Sequence, residues 1–157
     1  MRATSCGFNS HLRHQHAAGI ACALANVMAV VLVVNDDQEM LDMYAAVLEE
    51  MGHHAVLRTD AAPEPKTVVA TGANAVVIDL QAEADRLAGL HAIERLRAYP
   101  ATEAVPIVLA TAATPDEIQP IAERLESLRV PVLIKPFAID QLRDVLGRVL
   151  PKRAAAP

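Results

Sequence analysis

Four strongly apolar runs and one mixed segment divide the chain at nearly even intervals. They are Val30-Val31-Leu32-Val33-Val34, the segment His53 to Arg58, Ala75-Val76-Val77-Ile78-Asp79-Leu80, Pro106-Ile107-Val108-Leu109-Ala110-Thr111, and Val130-Pro131-Val132-Leu133-Ile134. Runs rich in Val and Ile that do not alternate with polar residues predict strands buried on both faces, as in the middle of a parallel sheet. Between them the apolar period changes to that of helices. Glu39 to Met51 carries Met40, Leu41, Met43, Tyr44, Val47 and Leu48 at helical spacing, with Asp37 placed to cap it and Gly52 to end it. A proline-broken stretch from Ala61 leads to a short helix, Lys66 to Thr71, closed near Gly72. After a polar loop, Gln81 to Ala88, a helix from about Leu90 to Ala98 puts Leu90, Ile93 and Leu96 on one face. Thr114-Pro115-Asp116-Glu117 opens a fourth helix with a cap, a proline and first-turn acids, and Pro120 is expected to bend it. The last helix, from about Ile139 to Leu150, turns Leu142, Val145, Leu146, Val149 and Leu150 inward.

Strands alternating with helices predict an α/β domain in which helices cover both faces of a parallel sheet. In such a sheet the carboxyl ends of the strands share one rim, where ligands gather. The residues delivered to that rim are polar. The first strand ends in Asn35 and Asp36, the third in Asp79, the fourth in Thr111 and the fifth in Lys135. A carboxylate is costly inside an apolar strand, so Asp79 is expected at the strand's end. Asp36 and Asp79 offer anionic oxygens to Mg²⁺, whose other positions water, a backbone carbonyl and a phosphoryl oxygen can fill. Lys135 can pair with that phosphoryl oxygen as a compact cation, and the Thr111 hydroxyl can donate to it.

Residues 1–27 differ from the rest. His11, His14 and His16 stand among Arg, Ser, Asn and Gln ahead of a small-residue run, with no carboxylate or thiolate at ligand spacing, so this part is expected to be a poorly ordered extension rather than a metal site. Ala17 to Val34 is uncharged, but an anchor or export signal there would consume Val30 to Val34, which the sheet needs. The domain is therefore expected over 28–150, with 151–157 as a tail and no appended output domain. The formal net charge of −5, with Lys and Arg scattered, argues against nucleic acid as a direct partner. Cys6 and Cys22 lie outside any metal or redox spacing and fit free thiols of a reducing, cytoplasmic compartment without a membrane partner. The adjacent His53 and His54 are expected at the start of the second strand, as surface rather than ligands, since neighbours on a strand face opposite ways.

Four of these pieces, in this order, resemble the receiver domain of two-component response regulators. They are Val33-Val34-Asn35-Asp36, Val77-Ile78-Asp79-Leu80, Leu109-Ala110-Thr111-Ala112 and Ile134-Lys135-Pro136-Phe137. The resemblance implies a flavodoxin-like (βα)5 fold with strand order 2-1-3-4-5. It implies a stand-alone regulator in a phosphorelay rather than an enzyme, with Asp79 taking a phosphoryl group from a histidine kinase or histidine phosphotransfer protein. Mg²⁺ would be held by Asp36, Asp79 and the backbone carbonyl of Gln81. Thr111 and Lys135 would grip the phosphoryl group, the bond before Pro136 would be cis, and a downstream protein would dock on the face of helix 4, strand 5 and helix 5.

The chain also departs from the family. Asn35 stands where an acid is usual, Val132 where an aromatic residue couples to the Thr, and Gln81-Ala82-Glu83-Ala84 where Met-Pro and then Gly are usual, with Gly89 two places late. Tyr44 and Tyr99 lie elsewhere in the sequence and are not expected to stand in for the missing aromatic. Asn35 and Val132 favour an alternative, a receiver fold that binds proteins without phosphorylation. Two further readings are disfavoured. An aspartyl-phosphate hydrolase wants Asp-x-Asp where Asn35-Asp36-Asp37 stands, and acids after the first strand would repel a flavin phosphate.

Overall fold

Side-by-side pairing of the apolar runs builds one parallel five-stranded sheet in the order β2-β1-β3-β4-β5. The strands are β1 (Val30–Asn35), β2 (His54–Arg58), β3 (Ala75–Asp79), β4 (Ile107–Thr111) and β5 (Val132–Ile134) in a computed structural model whose described residues are 28–59, 62–79 and 88–150. The helices α1 (Gln38–Glu50), α2 (Pro65–Thr71), α3 (Ala88–Ala98), α4 (Pro115–Ser127) and α5 (Ile139–Val149) alternate with them. The expected extension over 1–27, the tail over 151–157 and the loop carrying Gln81 lie outside the described residues. Among those described, no helix is long and apolar enough to cross a membrane.

The absence of alternation within the runs has a direct cause. Val31, Val33 and Val77 face one layer with Leu41, Tyr44, Leu48, Leu142 and Leu146 of α1 and α5. Leu32, Val34, Val76 and Ile78 face the other, with Val68 of α2, Ile93 and Leu96 of α3 and Leu125 of α4. Both sides of β1, β3 and β4 are thus dry, and each large side chain buried contributes roughly 1.5–3 kcal/mol. The edge strand β2 is half-buried, which fits its mixed sequence.

The helix ends follow local chemistry. The Asp37 carboxylate accepts from the Glu39 N–H at 2.8 Å and starts α1. Glu117 accepts from the Thr114 N–H at 2.9 Å, closing the first turn of α4, and Gln141 does the same for Ala138 at the head of α5. Gly72 ends α2 in the left-handed region, at φ 64°. Pro120 falls in the second turn of α4, and the helix continues through it to Ser127. Because Pro131 has no N–H to give, β5 begins at Val132, later than the apolar run suggests.

His53 departs from expectation. It is buried, with its Nδ1 accepting from the Ala29 N–H at 3.2 Å, while His54 is exposed. One histidine of the pair therefore ties down the entry to β1 instead of lying on the surface.

Candidate functional site

Register decides what the rim holds. Asn35 and Asp79 are lateral partners at the last pair of the β1–β3 ladder, so the last side chains of both strands meet where the sheet ends. Thr111 ends β4 alongside Ile134, and Lys135 follows immediately. Asp79 has no solvent exposure and Asn35 none either, whereas Asp36 is exposed at the mouth.

A fully buried carboxylate needs donors, and Asp79 finds them unevenly. Its Oδ2 accepts from Asn35 Nδ2 at 2.8 Å and from the Tyr44 hydroxyl at 2.9 Å. Its Oδ1 lies 2.6 Å from the Lys135 ammonium, a close ion pair, and has no other partner among the described residues. One oxygen is saturated and the other is faced by charge alone. Asn35 is itself fixed, because its Oδ1 accepts from the Asp37 N–H at 2.8 Å, which turns the amide nitrogen toward Asp79. An acid at that position could not have made this bond without a proton.

The Thr111 hydroxyl oxygen accepts from the Ala113 N–H at 3.1 Å, leaving its proton free to be donated. The Lys135–Pro136 peptide is cis. Val132 is half-buried and packs into the core layer under α3 and α4. Gln81, the expected carbonyl ligand, lies outside the described residues.

Tyr44 reaches the site in a role the sequence reading did not assign it, as a donor to Asp79 rather than as a stand-in for the aromatic residue missing at Val132. A side chain on a helix tilts toward the helix N-terminus. From two turns into α1, on the inner face between Leu41 and Leu48, the phenol therefore reaches back up to the rim where α1 began. Burial first, then the charge of Asp79 and the bond to it, hold the Tyr44 hydroxyl well above the ordinary phenol range, so it remains a donor. Its ring lies 6.4 Å from that of Phe137, tilted by 50°. Phe137 in turn lines an apolar groove with Met40, Met43, Lys135, Pro136 and Ile139. The signal in the sequence was a tyrosine on a fully buried helix face, which calls for a partner for its hydroxyl.

The donor set suits a hard divalent cation in kind: two rim carboxylates, Asp36 and Asp79, with the Asp36 carboxylate making no ion pair among the described residues. No cluster of three or more metal-ligating side chains stands among those residues, so carbonyl and water oxygens would have to complete the shell. The fit has one obstacle, the hydrogen bonds already filling Asp79 Oδ2.

This fold and this rim mark out a class of parallel α/β domains with a polar site at the strand ends, and comparison with known proteins says which family of that class the chain belongs to. Residues 31–147 match the response regulator receiver domain, and the chain belongs to that family. Among solved structures, the chemotaxis protein CheY4 of Vibrio cholerae is similar at 22% identity and a TM-score of 0.61, covering 79% of this chain and 100% of that one. The N-terminal domain of a response regulator receiver protein from Methanoculleus marisnigri JR1 is 24% identical, with a TM-score of 0.54, over 81% of this chain and 100% of that one. The receiver domain of the sensor histidine kinase PA1611 from Pseudomonas aeruginosa, solved with magnesium coordinated in its active-site cleft, is 23% identical with a TM-score of 0.56, over 78% of this chain and 98% of that one. No curated protein sequence matches the chain.

Proposed function

We propose that the chain is a phosphoacceptor in two-component signalling, and that Asp79 is its acceptor. The observation that carries this is the asymmetry of one buried carboxylate: Oδ2 is held by two neutral donors, while Oδ1 is faced by the Lys135 ammonium at 2.6 Å. An unshared pair on Oδ1 attacks the phosphorus of a phosphohistidine. The P–N bond breaks, its electron pair stays on the imidazole nitrogen, and Asp79 becomes an acyl phosphate. Lys135 exchanges its carboxylate partner for a phosphoryl oxygen, and Thr111 turns its free proton to another. Asn35 continues to hold Oδ2, now a carbonyl oxygen, and so fixes which oxygen reacts.

Asp36 and Asp79 would hold Mg²⁺, with the carbonyl of Gln81 as the proposed third ligand. When bound, the cation neutralises charge on the transferred group, as expected for phosphoryl transfer. The magnesium in the cleft of the PA1611 receiver domain supports the choice of ion. The donor would be a histidine kinase or histidine phosphotransfer protein of the cytoplasm. Movement of Thr111 toward the phosphoryl group would pull on the loop between β4 and α4 and so change the face built from α4, β5 and α5, where a downstream protein would bind.

Incubation with acetyl phosphate and Mg²⁺ tests the assignment. The intact mass should rise by one phosphoryl group, and Asp79→Asn should abolish the rise. An unchanged mass for the wild-type chain, with no response to beryllofluoride, would leave a receiver fold that acts by binding alone.

A further inference from the structure

A carboxylate oxygen offers about two lone-pair positions to donors or metals. Asp79 Oδ2 has both taken, by Asn35 Nδ2 at 2.8 Å and by the Tyr44 hydroxyl at 2.9 Å. If phosphorylation uses Oδ1, then Oδ2 is the oxygen that Asp79 has left for a divalent cation, and a cation cannot share a filled position with a proton. One donor must leave. Asn35 is tied at its other end to the Asp37 N–H, so withdrawing its amide would undo the start of α1. The Tyr44 hydroxyl has no second hydrogen bond among the described residues, and its proton can swing away by rotation about a single bond while the ring stays packed beside Phe137.

We propose that Tyr44 competes with the divalent cation at Asp79 Oδ2, so that Mg²⁺ enters the site only by displacing the Tyr44 hydroxyl. This rests on the reading of Asp36 and Asp79 as the magnesium carboxylates. In the cation's absence the phenol proton, the Asn35 amide and the Lys135 ammonium together satisfy the buried charge, which a receiver with an empty cleft would otherwise leave strained. The consequence is a site that is stable without metal and binds it weakly. Occupancy is reported to α1, because the group displaced belongs to the helix whose Met40 and Met43 line the groove beside Phe137.

The test uses the full chain and Mg²⁺ alone, followed by amide NMR titration. Loss of a hydrogen bond to a charged group changes an equilibrium by roughly tenfold or more, so Tyr44→Phe should bind Mg²⁺ about tenfold more tightly than the wild-type chain. Equal or weaker binding by Tyr44→Phe overturns the proposal, as does failure of both proteins to bind Mg²⁺. A second measurement leaves Tyr44 in place. The chain has two tyrosines and no tryptophan, so in a Tyr99→Phe background Tyr44 is the sole near-ultraviolet chromophore of its kind. Mg²⁺ should shift its absorption band to the blue as the phenol loses its carboxylate acceptor, and saturation with an unmoved band overturns the competition. Acetyl phosphate separates the two ideas. Tighter Mg²⁺ binding by Tyr44→Phe without phosphorylation of either protein sinks the acceptor assignment and keeps the competition.

Discussion

The two ends of the sheet use polar groups for different purposes. At the amino ends of the strands, His53 and Asn74 each accept one backbone N–H, from Ala29 at 3.2 Å and from Val30 at 2.9 Å, and thereby anchor the first residues of β1. Each is a neutral, pairwise bond that could be lost by itself. At the carboxyl ends, Asn35, Tyr44 and Lys135 all converge on one buried carboxylate. There the partners share an acceptor, so removing any one changes what the others must do. The first arrangement finishes a fold; the second gathers three donors around one charge, and only the second should show strong coupling between substitutions.

The largest test of that contrast is Lys135→Met. It leaves a fully buried carboxylate without its cation, and removing one partner of a buried ion pair typically costs about 3 kcal/mol. Urea denaturation should show a loss of that size, and a loss below about 1 kcal/mol would mean that Asn35 and Tyr44 suffice for Asp79. Tyr44→Phe should cost about 2 kcal/mol, the value of a hydrogen bond to a charged group with the ring's packing kept. Combining it with Lys135→Met should give a non-additive total, as expected for contacts in one network. Asn74→Ala, at the other end, should cost about 1 kcal/mol. It should add simply to Tyr44→Phe, because Asn74 and Asp79 are five strand residues, roughly 16 Å, apart at 3.3 Å per residue. Coupling between Asn74 and Tyr44 would erase the distinction between the two rims.

The fold was open to reading because double burial leaves a strong mark: β1, β3 and β4 are nearly pure apolar runs ending in polar residues, and that pattern located their ends to within a residue. Lys135 and Thr111 could be placed at the rim for a related reason, as the first polar residues at the ends of apolar runs. What escaped was Tyr44. Helical spacing placed it correctly on the inner face of α1, but spacing says nothing of how far a long side chain leans back along its helix, and that lean carries the hydroxyl to Asp79. The use of Asn35 was likewise hidden. Its identity showed a missing charge, whereas its bond to the Asp37 N–H, which aims the amide, depends on the turn after β1. His53 was misjudged because period-two alternation assumes a strand, and His53 sits just before β2 begins, where the chain folds it over Ala29.

His53 also supplies the smallest effect and the sharpest check on the amino-end rim. Burial lowers its pKa below the ordinary 6.5, and its Nδ1 must be unprotonated to accept the Ala29 N–H. In the unfolded chain the same histidine takes up its proton near pH 6.5. Protonation therefore favours the unfolded state: the contribution of His53 is fully present above pH 6.5 and is lost as the pH falls through the lower, folded value. The decline cannot exceed about 1.4 kcal/mol per pH unit for one group. His53→Gln keeps an acceptor for Ala29 and removes the titration, so its stability, followed by urea midpoints from pH 7.5 down to 5, should fall less steeply than that of the wild-type chain. Parallel curves would show that the Ala29 bond tolerates a protonated ring, and that the amino-end rim does not need the neutral acceptor assigned to it.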